Sequence, residues 1–445
     1  MKRLFGTDGI RAVAGEYPLD YGSIQALGKA LVALLGEERL EPKILIGRDT
    51  RESGIWMEQG LFQGIREARG TAVSAGIIPT SSISLLTKKY RFSAGIVISA
   101  SHNPYLDNGI KIFSSEGFKI SDAWEARLEK SIHRGGNAIG RKAVPIRSDP
   151  RYLKEYKNFL KSQWPALRRL RPLKVVLDCS NGASYAAAPA VMRDLGFDVI
   201  KMSCSPQGKN INAACGSLHP QNLAKKVVEV GADIGIAYDG DADRSLWVDE
   251  KGRILNGDHT LFVLAKHMRN VGRLKSGAVV ATSMSNLGLE VALKKMGLRL
   301  VRTKVGDKHV LEKMIEIGAN LGGEQSGHTI FLDACPTGDG ILTSLKMLEV
   351  LAGQNLPLSG LVRGYREFPQ ILVNVPVAQK IDFAAVPEVA KAIARVQNLI
   401  KNDGRLEIRY SGTEPLARVM VEGRDFDLIR RYAHAIGDAI AKNLG

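Results

Sequence analysis

The chain has 445 residues of ordinary globular composition, 44% hydrophobic and 24% charged. At roughly 100–200 residues per domain that length predicts three or four domains, and no run of about 18 apolar residues offers a membrane span. The net charge of +16 is the one unusual bulk property; it is compatible with an enzyme of anionic substrates or with a nucleic-acid binder.

The N-terminus opens without an apolar leader segment, so a cytoplasmic location is expected. Gly6-Thr-Asp-Gly-Ile-Arg11 is a Gly-rich polar loop whose Arg11 can reach a phosphate. A helical pattern follows over Tyr21–Leu35, then a strand-like run over Lys43–Gly47. The run Ala94–Ile98 reads as a buried strand that breaks into Ser99-Ala-Ser-His-Asn-Pro104, with Pro104 ending it. Ser101 is therefore expected to be exposed where a strand opens into a loop, a common place for a nucleophile; a plain Ser-rich turn is the simpler reading. Lys111, in Asn108-Gly-Ile-Lys111, is by composition alone a surface lysine.

Between Arg141 and Lys174 eleven Lys or Arg face two acids, a local charge of +9. A solvated helix face fits, since Arg151, Lys154, Lys157 and Lys161 recur at helical spacing. Steering of small anions and nucleic-acid binding are the alternatives, and no aromatic-interleaved basic motif supports the latter. The pattern continues with a strand at Lys174–Leu177, a helix at Asn222–Val230 and a strand at Asp233–Ala237. Directly after that strand comes Asp239-Gly-Asp-Ala-Asp-Arg244. Asp239, Asp241 and Asp243 at alternate positions can converge on one hard cation, and the small residues between them let the backbone fold around it. An EF-hand fails here: Arg244 stands at the sixth position, where the turn needs Gly, and the preceding flank is a strand. Mg²⁺ shared with a phosphate oxygen suits an open carboxylate triad.

A strand at Ala278–Thr282 and a helix at Leu287–Lys295 lead to Gly322-Gly-Glu-Gln-Ser-Gly-His328, where Glu324 and Ser326 can grip adjacent sugar hydroxyls, or form a plain Gly-rich turn. The last 75 or so residues read as strand, helix, strand, strand, helix, a smaller α+β unit. They carry Arg409-Tyr-Ser-Gly-Thr-Glu-Pro415 and Arg418. Ser411, Gly412 and Thr413 between the two arginines can make a phosphate cradle, or form an ordinary Ser-Gly turn. The four cysteines show no metal spacing and read as reduced thiols. Composition shifts divide the chain into 1–150, 151–252, 253–366 and 367–445.

Together these loops resemble the α-D-phosphohexomutase superfamily across the full length, with serine, metal, sugar and phosphate loops in the expected order. Phe5-Gly-Thr-Asp-Gly-Ile-Arg11, Ser99–Pro104, Lys304-Val-Gly-Asp307 and Glu324-Gln-Ser-Gly-His328 are closest to its branch acting on glucosamine phosphates. Gln325 separates it from the glucose- and mannose-phosphate branch, where Met is usual. Ala12 and Tyr410 depart from the usual Gly and Pro, and Tyr410 bears on how rigidly the phosphate loop is held.

The resemblance implies an α/β fold of four domains around a central cleft, three related units with mixed sheets and a smaller C-terminal α+β domain. It also implies interconversion of glucosamine 6-phosphate and glucosamine 1-phosphate through a 1,6-bisphosphate, which would also act as activator. Ser101 would carry the phosphoryl group and bind Mg²⁺ with Asp239, Asp241 and Asp243. Arg11, Arg244 and Lys111 would supply positive charge, Lys111 or His328 proton transfer, and His102 the orientation of the serine loop. Glu324 and Ser326 would hold the sugar; Arg409, Ser411, Gly412, Thr413 and Arg418 would hold the idle phosphate. A homodimer is implied, with no nucleic-acid or membrane partner. A phosphatase using the same serine, or a glucose- or mannose-phosphate mutase, remains an alternative.

Overall fold

The structure, a computed structural model, describes residues 3–6, 8–134, 145–164, 173–354, 356–401, 404–411 and 415–445. Among the described residues the strands form four sheets. The first contains β1 (Phe5–Gly6), β2 (Gly9–Val13), β3 (Lys43–Arg48), β4 (Thr71–Ile77), β5 (Ala94–Ile98) and β6 (Asp107–Ser114). Their order is β1-β2-β6-β5-β3-β4. β4, β3 and β5 run parallel, while β6, β2 and β1 join in antiparallel sense.

The second sheet repeats the plan with β7 (Lys174–Asp178), β8 (Asp198–Met202), β9 (Ile234–Tyr238), β10 (Ser245–Asp249) and β11 (Ile254–Leu255). β9, β7 and β8 are parallel; β10 and β11 add an antiparallel edge. In the third, β12 (Ala278–Thr282) lies parallel to β13 (Arg299–Thr303) and β14 (Leu321–Gly323), and β15 (Thr329–Phe331) returns antiparallel beside β14. These three mixed sheets match the expectation from β-α alternation. The fourth, β16 (Gln370–Pro376), β17 (Gly404–Tyr410) and β18 (Leu416–Gly423), is wholly antiparallel, with β18 in the middle. It packs on helices Pro387–Ile400 and Phe426–Leu444, the smaller α+β unit.

Parallel strands covered by helices on both faces must be apolar throughout. Every residue of β5 and β9 is buried accordingly. Ile44, Ile46, Ile96 and Ile98 pack with Leu27, Leu31, Met57, Leu61 and Ile65 from helices Tyr21–Glu37 and Ser53–Glu67. Such strands deliver their polar loops at their C-terminal ends, where α/β folds place their chemistry.

Two compact units result: residues 1–284 with 298–363, holding the first three sheets, and residues 285–297 with 364–445. Asn286 secures helix Leu287–Lys295 within the second unit. Its Oδ1 accepts the amides of Gly288 and Phe368 at 2.8 and 2.9 Å, and its Nδ2 donates to Phe368 O and Glu422 Oε1 at 2.9 and 3.1 Å.

In the basic stretch, residues 141–144 and 165–172 lie outside the described residues. Helix Pro150–Ser162 buries Tyr152, Tyr156 and Leu160 and leaves Arg151 and Lys154 exposed, a solvated basic face. No described helix is long and apolar enough to cross a membrane. The four cysteines are unpaired.

Candidate active site

Ser101 lies just beyond the C-terminal end of β5, in the left-handed region at φ 53°. Non-glycine residues held there concentrate at functional sites. Its amide donates to Ser99 Oγ at 2.9 Å, and Ser99 Oγ donates to Asp49 Oδ2 at 2.6 Å. Arg51, fully buried, pairs with Asp49 and reaches over the loop to donate to the carbonyls of Ser101 (2.9 Å), Asn103 (3.0 Å) and Pro104 (2.8 Å). Asn212 Nδ2 donates to Ser101 O and Asn103 O at 2.9 and 3.0 Å. The loop is thus held by charge-assisted bonds to its backbone, leaving the hydroxyl aimed elsewhere.

The expectation that Ser101 is exposed does not hold: it is 0% exposed. The loop after β9 covers it, because Gly240 lacks a side chain. A Cβ there would stand 2.5 Å from Ser101 O. Ser101 Oγ donates to Asp239 Oδ2.

Asp239, Asp241 and Asp243 are all buried, and one carboxylate oxygen from each lies within 4.8 Å of the others. Burial, then repulsion from Asp243 and Asp241, pushes the Asp239 carboxyl well above its usual range. Asp241 Oδ2 accepts from Thr80 Oγ1 (2.6 Å) and Lys111 Nζ (3.0 Å), and Asp243 Oδ2 accepts from Lys111 (3.1 Å). The opposite oxygens, Asp241 Oδ1 and Asp243 Oδ1, are buried without a hydrogen-bond partner among the described residues. Orphaned acceptors of this kind carry a desolvation cost of a few kcal/mol unless something binds them. An all-oxygen set converging on one point fits a hard divalent cation such as Mg²⁺.

Lys111 is not the surface lysine that composition predicts. It is 1% exposed, because the antiparallel pairing of β5 with β6 sets Lys111 opposite Val97 and turns it toward the carboxylates. Burial alone would lower its pKa, but Asp241, Asp243 and Asp8 together hold it well above the ordinary value, so it stays cationic. Asp8 is the third partner, at 3.0 Å, and Arg11 Nη2 also donates to it. His102 Nδ1 stands 3.3 Å from Ser101 Oγ. Burial, with Arg244 and Arg11 nearby, lowers His102 to about 4, so it is neutral at pH 7. Arg244 donates its amide to Asp239 Oδ1 at 3.1 Å and holds its Nε 3.8 Å from Asp243. His328 sits between two acids, Nδ1 at 3.7 Å from Asp243 and Nε2 at 3.6 Å from Asp307, and Gly338 N–H donates to Nε2 at 3.0 Å.

The hairpin loop between β14 and β15 brings Glu324 and Ser326 to the same side. Ser326 is exposed and donates to Glu324 Oε2 at 3.4 Å, while Glu324 Oε1 accepts Gly306 N–H at 3.3 Å. Within the second unit, Arg409 on β17 is the cross-strand partner of Arg418 on β18. Like charges set directly opposite each other are unfavourable, and together they give this face a positive charge suited to an anion. Ser411 is buried; its amide donates to Leu416 O (2.8 Å) and its carbonyl accepts from Lys380 Nζ (2.6 Å). Gly412 and Thr413 lie outside the described residues. Tyr410 stacks on Phe383 with ring centroids 4.3 Å apart and donates to Ile381 O at 2.5 Å, so the aromatic anchors this strand end where the related pattern has Pro.

Several contributors had no role assigned from sequence: Asp8, Asp49, Arg51, Thr80, Lys119, Asn212 and Asp307. Asp8 and Asp307 lie inside motifs that were legible, and Asp49-Thr-Arg51 follows a strand, which is itself a signal. Lys119, Thr80 and Asn212 have none; only tertiary packing brings them in.

Family models for phosphoglucomutase/phosphomannomutase match in sequence along the chain: α/β/α domain I over residues 2–138, domain II over 150–252, domain III over 256–368 and the C-terminal domain over 372–439. A phosphoglucosamine mutase of Geotalea daltonii is 46% identical over 453 residues, covering 100% of this chain and 99% of that protein. One from Syntrophobacter fumaroxidans is 45% identical, covering 100% of both. Among solved structures, a phosphoglucomutase/phosphomannomutase family protein from Burkholderia thailandensis superimposes with TM-score 0.81 at 24% identity, over 99% of this chain and 98% of that one. An Aspergillus fumigatus N-acetylphosphoglucosamine mutase in complex with GlcNAc-6P and magnesium gives 0.61 at 19% identity, over 98% and 96%.

Proposed function

The chain belongs to the phosphoglucomutase/phosphomannomutase family, and from that premise we propose that it interconverts glucosamine 6-phosphate and glucosamine 1-phosphate. It is an isomerase, an intramolecular phosphotransferase feeding amino-sugar nucleotide and cell-wall precursor synthesis. The observation that carries the mechanism is Ser101 Oγ bonded to Asp239 inside a buried aspartate triad.

Ser101 Oγ carries a phosphoryl group at the start of the cycle. The P–Oγ bond breaks as the free hydroxyl oxygen of the sugar bonds phosphorus and gives up its proton; one proton is returned to the leaving Ser101 Oγ, which is left as the free hydroxyl beside a 1,6-bisphosphate. The bisphosphate turns over, and its other phosphoryl group returns to Ser101. Mg²⁺ held by Asp239, Asp241, Asp243 and the oxygen on Ser101 would neutralise charge on the group in transit. Arg11, Arg244 and cationic Lys111 add fixed positive charge, so that transfer needs alignment more than covalent help. Carboxylates hold the Lys111 proton, and Asp243 and Asp307 raise His328 in the same sense, so Lys111 and His328 are both candidates for proton transfer with the reacting hydroxyl. His102, at about 4, is too weak a base and keeps a neutral contact with Oγ. Glu324 and Ser326 grip the sugar in both orientations. Arg409, Ser411, Gly412, Thr413 and Arg418 bind the idle phosphate.

Added hexose 1,6-bisphosphate would reload Ser101 and act as activator. The magnesium and sugar phosphate of the Aspergillus protein support the same ligands here. Four unpaired cysteines fit a cytoplasmic enzyme, and a homodimer is the assembly the family resemblance implies, open to sedimentation. Intact mass with peptide mapping, joined to a coupled assay on glucosamine, glucose and mannose phosphates, tests the whole reading. One phosphate on Ser101 and a preference for glucosamine phosphate is expected. A preference for glucose or mannose phosphate would make it the other branch of the family, release of inorganic phosphate a phosphatase, and full turnover with unmodified Ser101 would end the phosphoserine mechanism.

A further inference from the structure

Six side chains beside Ser101 close into a ring in which basic groups alternate with acidic ones. Lys111 Nζ lies 3.0 Å from Asp8 Oδ2, and Asp8 Oδ1 lies 2.5 Å from Lys119 Nζ. Lys119 Nζ is 2.6 Å from Asp307 Oδ2, which is 3.6 Å from His328 Nε2. His328 Nδ1 is 3.7 Å from Asp243 Oδ2, and that oxygen is 3.1 Å from Lys111. Lys111, Asp243 and His328 have roles in the reaction read above, and Asp8 pairs with Lys111. Lys119 and Asp307 have no role in that reaction.

Lys119 follows the first sheet by a short turn, and Asp307 is the first residue of helix Asp307–Ile317 beside the third. Their side chains are only 15% and 12% exposed. Burying such a pair is costly, and an apolar pair of similar volume would stabilise the fold as well or better. What ions supply that apolar contacts do not is direction and fixed distance. Asp307 also sits next to the sugar loop: the amide of Gly306, one residue earlier, donates to Glu324 Oε1 at 3.3 Å, and Glu324 N donates to His328 O at 2.8 Å.

We propose that Lys119 and Asp307 are positioning residues that fix the sugar loop, Glu324–His328, at its working distance from Ser101 and Lys111. The inference rests on the mutase reading above. In-line transfer tolerates little error, since a misplacement of about 1 Å can cost on the order of 100-fold in rate. A loosened sugar loop would also release the bisphosphate while it turns over, so the enzyme would come to depend on bisphosphate supplied from outside.

The test uses the full-length protein as Lys119→Met, Asp307→Asn and the double variant. The expected result is a fall in kcat of about 10- to 100-fold with KM for glucosamine 6-phosphate within about threefold. The bisphosphate concentration for half-maximal rate should rise, and the double variant should be slowed by clearly less than the product of the two single losses, because both variants break the shared Lys119–Asp307 link. An unchanged kcat, an unchanged bisphosphate requirement, additive losses, or losses that merely follow the unfolded fraction in a thermal melt would overturn it. If Lys119→Met does not fold, Asp307→Asn, nearly identical in shape, decides alone. Failure of the wild-type chain to convert glucosamine phosphate would count against the substrate reading instead, and the same comparison would then run on whichever hexose phosphate it isomerises.

Discussion

Ser101 owes its reach to neighbours that hold its backbone rather than its hydroxyl. Arg51 and Asn212 take its carbonyl and Ser99 takes its amide, so Oγ is left to face Asp239. Ser101→Ala should reduce turnover to background in a coupled assay with bisphosphate present, with the melting temperature little changed; near-normal turnover would sink the carrier role. The aspartates make a second prediction. Lys111 takes only one oxygen each of Asp241 and Asp243 and leaves the opposite oxygens buried without a hydrogen bond, so Mg²⁺ should raise the melting temperature, by an amount equivalent to about 2.7 kcal/mol at a hundredfold excess over Kd. Asp241→Asn should lose most of that rise along with activity; its metal-free form loses one repelling charge but also one carboxylate partner of buried Lys111, so the Mg²⁺-dependent rise and not the metal-free melting temperature is the readout. A full Mg²⁺ response in this variant would count against the metal assignment.

At the scale of elements, turns and caps decide where the loops stand. Gly9 starts β2 at φ 82°, and a Cβ there would lie 2.3 Å from Ile110 O. Gly9→Ala combines left-handed strain with that clash, so it should cost roughly 1–3 kcal/mol in denaturant unfolding. It should also lower activity by displacing Asp8 from Lys111. Helix Gly257–Asn270 opens with a capping box: Asn256 Oδ1 accepts the amides of Asp258 and His259 at 3.1 and 3.4 Å, and His259 Nδ1 accepts Asn256 N–H at 3.3 Å. Burial, with Arg253 close by, lowers His259 from 6.5 to about 4. Between those values the unfolded chain binds a proton that the folded cap does not. The cost to stability is therefore nil above pH 6.5 and grows as pH falls, to on the order of 3 kcal/mol near pH 4. His102 adds to the same trend. His259→Gln keeps an acceptor for the cap and should flatten the profile of melting temperature between pH 6.5 and 4.5; an unaltered profile would show that His259 is not its source.

For the whole molecule, the +16 net charge should attract the anionic phosphate of the substrate at long range. Steering of this kind fades as salt shortens the Debye length from about 10 Å at 0.1 M to about 3 Å at 1 M. kcat/KM for glucosamine 6-phosphate should fall several-fold on raising salt across that range, with kcat nearly constant. A salt-independent kcat/KM would assign the charge to solubility alone. The solvated basic face of helix Pro150–Ser162 is one contributor to this field.

The sequence by itself determined the element rhythm, since β5 and β9 are all-apolar runs that only a covered strand explains. It also named the aspartate triad, because alternation of acids in a tight loop has few other uses. The place of Ser101 at the end of a strand was legible for a related reason: small polar residues cluster where a strand ends. Burial was not legible. Lys111 looked like a surface lysine until strand pairing set it against Asp241, and Ser101 looked exposed until Gly240 let a second domain's loop close over it. Nor could any local pattern connect Lys119 to Asp307, 188 positions apart. Sequence periodicity reports what a residue's immediate neighbours require; charge pairing across sheets depends on how whole domains pack. Only the tertiary structure could decide that.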